Sequence, residues 1–405
     1  LVFWSRGAQR RFDLTTAAGY TAAMHILHLG KYYAPHRGGM ETILQAMAEG
    51  LLDEGCDVTL VTSAEGPRGT VGTVCGPRLG REGRLCRAAR LGLLNSQPLN
   101  PGLAGLVRRE LALGRPDVLH VHLPNPLAAA VCLGLRLDPA VRRVPLAVWY
   151  HADITRQRLG GWLVAPVVRA CLREAAGICV SSAALRDGSP VLAPWRSKVT
   201  VVPFGIEAEP WSAVVPRRDG PLLFVGRLVG YKGVGVLLEA LARVPGATLD
   251  LVGEGPLEAD LRALSHRLGL GARVHFLGEM DRGGIAARLS RARALVLPSL
   301  DRSEAFGLVQ LEAMAAGVAV VCTDLPTGVR EVGVPGRTCL QAPPGDVEAL
   351  AVALAAVWND EGLATRLGEA GRRRFDENFT RETMVARLLA WYRTLAPGAD
   401  GPAAR

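Results

Sequence analysis

Short apolar runs recur along this chain, separated by stretches of helix-forming residues. Met24-His-Ile-Leu-His-Leu-Gly30 opens the series, and Asp57–Thr62, Asp117–Val121, Leu146–Tyr150, Gly177–Val180 and Lys198–Val202 continue it. Each is apolar along most of its length rather than at alternate positions, which marks a strand buried on both faces. Helical stretches stand between them, from Gly38-Gly39 to about Leu52, over Gly102–Leu113 and over Trp162–Glu174. Strands alternating with helices predict a parallel sheet. A second series follows at Leu222–Val225, Thr248–Val252, Val274–Leu277, Ala294–Leu297 and Val318–Cys322. Between the two, Pro203-Phe-Gly-Ile-Glu207 through Arg217-Arg-Asp-Gly220 carries prolines, glycines and charges without periodicity, as a boundary does. The pattern predicts an α/β protein of two parallel-sheet domains, 24–205 and 221–375, joined by a linker at 206–220.

Composition narrows the class. With 405 residues the chain exceeds one typical core, and 49% apolar residues make it globular. Residues 1–23 are basic with only a short Leu1-Val-Phe-Trp4 apolar patch, so they read as an extension ahead of Met24. No apolar run reaches the ~18 residues that span a bilayer. Eight cysteines without a C-x-x-C pair or regular spacing argue against a zinc site or a disulfide framework and fit a reducing cytoplasm. The formal charge of +9 suits nucleic acid, an anionic membrane surface or phosphorylated substrates. Nucleic acid is the weakest of these, since no binding motif or aromatic-basic platform occurs.

The stretch from Leu297 to Gly317 concentrates the chemistry. It joins a buried strand to a helix, Leu308–Ala316, and then to a second buried strand, so its loop lies at the carboxyl edge of the sheet, where ligands bind. Gly307 lets the backbone approach an anion, and the helix dipole favours one there. Glu304 precedes that point and Glu312 lies more than a helical turn beyond it. Carboxylates accept hydrogen bonds from hydroxyls, so the pair suggests sugar at each end and diphosphate between, a nucleotide sugar. Two glutamates at this spacing also fit a solvated loop and helix face.

Glu304-Ala-Phe-Gly-Leu308, Leu311-Glu-Ala-Met-Ala-Ala-Gly317 and Val318-Ala-Val-Val321 resemble the donor-site signature of family 4 glycosyltransferases. The resemblance extends over most of residues 24–395. It implies the GT-B architecture, two Rossmann-like domains facing across a cleft, and transfer of a hexose from a nucleotide diphosphate with retained configuration. It also implies that the helix Arg381–Leu395, within 376–405, packs back on the first domain. Phe306, Gly307, Leu308 and Glu312 then belong to the donor site, and Glu304 grips the hexose.

Gly226-Arg227-Leu-Val-Gly-Tyr-Lys232-Gly233 closes the first strand of the second domain, where two cations would meet a diphosphate. The segment is similar to the family's phosphate-binding pair, which assigns that role to Arg227 and Lys232. Gly278-Glu-Met-Asp-Arg282 ends another strand, and the family places the nucleobase there, at Glu279 and Met280. Gly38 and Gly39 resemble the family's glycine loop facing the cleft; a tight strand-to-helix turn fits them equally. Trp149-Tyr-His151-Ala-Asp153-Ile-Thr-Arg-Gln157 resembles bacterial family 4 enzymes that build surface polysaccharides. On that likeness His151 and Asp153 touch the transferred sugar or the acceptor, while locally they fit a pair that shapes the loop. His120 and His122 point the same way by alternation, but no third metal ligand is evident, so they read as cleft or core histidines.

No D-x-D occurs, so neither a metal nor a cofactor is expected, and charge neutralisation falls to the protein. The acceptor is expected to be a glycan or a polyprenyl- or lipid-linked molecule, and GDP-mannose is the expected donor from the His151 region, while glucose, galactose and N-acetylhexosamines fit the same two-carboxylate scheme. Arg136, Arg142, Arg143, Arg156, Arg158, Arg169 and Arg173 suggest peripheral contact with an anionic membrane, at the cytoplasmic face. Two rival readings remain. A nucleotide-sugar-binding protein without turnover would share these motifs. An NAD-linked oxidoreductase is disfavoured, because Val252-Gly253-Glu-Gly255-Pro256 lacks the third glycine of a dinucleotide fingerprint and has proline in the turn.

Overall fold

The computed structural model describes residues 23–36, 38–94, 97–153 and 158–396. The extension before Ala23, the tail after Ala396 and Arg156 lie outside the described residues. In the first domain the strands run side by side in the order Val199–Val201, Gly177–Val180, Leu146–Tyr150, Val118–Leu123, His25–Leu29, Asp57–Ser63, Glu82–Ala88 and Thr70–Cys75. All are parallel except Thr70–Cys75, which runs antiparallel to Glu82–Ala88. The second domain has a six-stranded parallel sheet, ordered Val274–Phe276, Leu249–Val252, Leu222–Val225, Ala294–Leu297, Ala319–Thr323 and Cys339–Ala342. The GT-B arrangement of two parallel-sheet domains is therefore present.

The central strands are apolar because helices cover both faces. Every residue of Val118–Leu123, Leu146–Tyr150 and Ala294–Leu297 is buried. The pattern missed Thr70–Cys75, Glu82–Ala88, the small hairpin Gly92–Leu94 with Gln97–Leu99, and Cys339–Ala342. These lie at sheet margins or in the hairpin; Thr70–Cys75 is exposed at all but one position and Glu82–Ala88 carries Glu82, Arg84 and Arg87. The helix expected from Trp162 begins at Arg158.

The helix Arg381–Leu395 lies along Gly39–Asp53, as the resemblance implied. Its first residue, Arg381, is buried, with Asp53 at 3.2 Å, Glu207 at 3.5 Å and Glu49 at 3.9 Å. Its far end places Tyr392 and Trp391 against His120, with ring centroids 5.5 and 5.9 Å away. The chain crosses between domains twice, and the crossings pair: Ile206 N–H donates to the Phe379 carbonyl at 3.0 Å, and Arg381 N–H to the Ile206 carbonyl at 2.9 Å. An aromatic wall runs beside them, Trp149 on Phe204 at 5.5 Å and Phe204 edge-on to Phe306 at 4.9 Å.

Candidate functional site

The second-domain strands deliver their loops to one edge, and there Lys232 Nζ lies 2.6 Å from a carboxylate oxygen of Glu304. Both side chains are mostly buried, 13% and 10% exposed. The Ser299 hydroxyl donates to the same oxygen at 3.0 Å, and Leu300 N–H donates to the Tyr231 carbonyl at 2.7 Å. Strand order explains the meeting: Leu222–Val225 and Ala294–Leu297 are neighbours, so the turns that follow them touch.

Gly307 has φ +74°, and a Cβ there would come within 2.7 Å of Leu297 Cδ2 and 2.8 Å of Gln310 Nε2. Only glycine fits this turn without displacement. It begins the helix Leu308–Ala315 with no side-chain cap, and glycines likewise begin Gly39–Asp53 and Val234–Ala242 without one. Several other helices have side-chain caps, from Asn125, Asp281, Asp346, Asp360 and Thr380, although Leu103–Gly114 and Glu258–Arg267 also start without one. The uncapped amides need an acceptor, and an anion is a suitable one. A Cβ on Gly39 would lie 3.6 Å from Leu308, so two of these helix starts face each other across the domains.

Arg227 is exposed and has no ion-pair partner among the described residues. Its turn hangs on the neighbouring one, Gly226 N–H donating to the Val252 carbonyl and Leu228 N–H to that of Glu254, both at 2.9 Å. A Cβ on Gly253 would collide with the Gly226 carbonyl. The Gly253-Glu-Gly255 turn thus serves close backbone packing beneath Arg227. Glu279 is exposed and Met280 half-buried, at the turn where Asp281 caps the helix Arg282–Arg291. Glu312 keeps an accessible edge, yet the protein around its carboxylate desolvates it and pushes its pKa up to about 7, against the opposing pull of Arg282. The ring of Phe306 is 3% exposed, in the aromatic wall, so its side chain shapes the site from behind.

On the first-domain side His151 is buried and lines a small cavity with Lys31, Met40, Glu41 and His122. Burial, then His122, holds its pKa well below the ordinary value. His151 and Asp153 take separate partners: Asp153 accepts from the Ser189 hydroxyl at 2.6 Å and the Tyr150 hydroxyl at 2.9 Å, which is how a loop-shaping carboxylate behaves. The absence of a third ligand beside His120 and His122 is corrected. His28, on the adjacent strand, is the register partner of His120, and one ring nitrogen from each of the three lies within 4.8 Å of the others. The sequence also gave no sign of Glu331, which reaches across the domains to accept from the Ala183 N–H at 2.9 Å and the Ala184 N–H at 2.5 Å. Ser299 could have been noticed, standing between the strand end and Glu304.

Residues 206–374 match the profile described as "Glycosyl transferases group 1", and residues 37–210 that of "Glycosyltransferase Family 4". The chain is 30% identical to O-antigen chain mannosyltransferase C of Escherichia coli, over 92% of this chain and 99% of that one. It is 31% identical to D-rhamnosyltransferase WbpZ of Pseudomonas aeruginosa, over 88% and 92%. Among solved structures, sucrose-phosphate synthase from Thermosynechococcus elongatus superposes with a TM-score of 0.75 at 25% identity, over 92% of this chain and 99% of that one.

Proposed function

Since the chain belongs to glycosyltransferase family 4 and is a glycosyltransferase, we propose that it moves a hexose, with GDP-mannose as donor, to a glycan or lipid-linked acceptor with retained configuration. The observation that carries this reading is the buried Lys232–Glu304 pair beside the uncapped start of Leu308–Ala315. A diphosphate over those amides meets Lys232, with Arg227 free to close on it. Glu304 and His151 hold the hexose, Glu312 the ribose hydroxyls, and the turn at Glu279 and Met280 the base. Gly38 and Gly39 present the facing helix start. The names of the relatives from Escherichia coli and Pseudomonas aeruginosa, mannosyl and D-rhamnosyl transferases, support a hexose donor of this kind and, for the first, a glycan-chain acceptor.

The mechanism follows from where charge grows. For retention the acceptor hydroxyl attacks from the leaving-group side, the bond from the anomeric carbon to the phosphate oxygen breaks, and that oxygen takes the acceptor's proton. The protein's part is to hold groups ready for the negative charge developing on the diphosphate, namely Lys232, Arg227 and the amides after Gly307. A thermal-shift panel of nucleotide sugars tests donor choice, because a ligand at 100 times its Kd stabilises by about 2.7 kcal/mol. Product analysis with the stabilising donor then tests turnover. GDP-mannose is expected to give the largest shift; a larger shift with another nucleotide sugar overturns the donor, and binding without turnover of any acceptor overturns the transfer.

A further inference from the structure

The histidines beneath the first-domain sheet edge form a centre that the transfer reaction leaves unused. His28 lies on His25–Leu29, and His120 and His122 on Val118–Leu123, the two strands pairing with His28 opposite His120. His28 and His120 are fully buried and His122 is 6% exposed. The Nδ1 of His28 is hydrogen-bonded to Nε2 of His122 at 3.1 Å, while Nε2 of His28 and Nε2 of His120 have no hydrogen-bond partner among the described residues. Burial also keeps the three rings neutral, so they present lone pairs at neutral pH.

We propose that His28, His120 and His122 form a binding site for a transition-metal ion of the zinc class. Three neutral ring nitrogens suit Zn²⁺, Co²⁺ or Ni²⁺, whereas Mg²⁺ and Ca²⁺ take oxygen ligands. With a metal–nitrogen distance of roughly 2.0–2.1 Å, tetrahedral ligands stand roughly 3.3 Å apart; His28 Nδ1 and His122 Nε2 are 3.1 Å apart, and the three ligating nitrogens lie within 4.8 Å of one another, so the rings would draw together on an ion. The far sides of two rings are already oriented, His120 Nδ1 by the Tyr392 hydroxyl and His122 Nδ1 by His151 Nε2 at 3.1 Å. Such outer contacts fix the tautomer and direction of ligating imidazoles. An ion here would pin two neighbouring strands together. Taking Nε2 of His122, it would also oblige Nδ1 to carry the proton and donate to His151, leaving the proton of neutral His151 on Nδ1.

The test uses the full chain, with any affinity tag removed. Purified from zinc-containing medium and dialysed, it is expected to retain about one zinc per chain by mass spectrometry of the metal. Metal-free protein given Co²⁺ is expected to show the intense visible absorption of a four-coordinate site, three histidine nitrogens and one solvent molecule. His28→Asn and His120→Asn should each abolish both signals with the far-ultraviolet dichroism retained, whereas His151→Gln should keep them. A folded wild type that holds neither ion in stoichiometric amount overturns the proposal, and so does undiminished binding by folded His28→Asn or His120→Asn. Should those variants fail to fold, the wild-type cobalt spectrum decides, since six-coordinate surface binding absorbs only weakly.

Discussion

The ammonium of Lys232 and the carboxylate of Glu304 form a contact of 2.6 Å between two turns 72 positions apart in the chain. On the proposed reading, a donor entering the site meets a cation and an acceptor that already hold each other in place. The pair is preorganised, and on that reading removal of the cation is expected to be felt where charge develops.

Lys232→Ala is expected to lower turnover at saturating donor by ~10²-fold or more, since that is the usual loss of one preorganised donor to a developing anion. Glu312→Ala should instead raise the donor Kd and alter turnover far less. Separate measurement of turnover and donor affinity checks both, and near-normal turnover of Lys232→Ala would falsify the role of the cation.

Donor binding is expected to depend on pH through Glu312, whose pKa burial pushes up to about 7. The raised value means that the acid is protonated below that pH and accepts well from ribose hydroxyls only above it. Donor Kd is expected to worsen by up to about tenfold per pH unit below neutrality and to level off above pH ~8. Titration calorimetry at several pH values reads this directly, and Glu312→Gln should flatten the profile. A flat wild-type profile counts against the assignment.

Arg381→Ala should cost about 3–5 kcal/mol of stability, because it strips the buried Asp53 and the half-buried Glu49 of their shared cation. Denaturant unfolding followed by intrinsic tryptophan emission is the measurement. A loss below about 1 kcal/mol would show that Asp53 is satisfied by the Arg78 and Leu79 amides, at 2.9 and 3.0 Å, alone.

A lipid-linked acceptor predicts sedimentation with anionic vesicles at low salt and release at high salt, as screening shortens the reach of the charges. Arg142, Arg143, Arg169 and Arg173 are exposed on the first domain and would carry the attraction. No sedimentation at either salt concentration removes the membrane from the picture.

The parallel strands were legible because burial on both faces leaves a continuous apolar signature, clearest at Val118–Leu123 and Ala294–Leu297. Thr70–Cys75 was not, because an exposed edge strand carries no such run. Residue chemistry was legible where it stood close in sequence, as with Glu304, Gly307 and Glu312. What depended on strand order was hidden: His28 joins His120 and His122 only because their strands pair, and Glu331 meets Ala183 only because the domains face each other. Asp153 shows the same limit, since its partner Ser189 lies 36 positions away.

The late return of Arg381–Leu395 to Gly39–Asp53 sets an order on biosynthesis. As the chain emerges from the ribosome, the first domain can assemble its sheet through Val199–Val201 yet must wait for its covering helix. During that interval Asp53 and Glu49 lack their buried cation and His120 lacks Tyr392, while the second domain, a nearly continuous segment, closes first. The domain begun earliest is thus completed last, and its uncovered flank is the stretch most exposed to misassembly with another nascent chain.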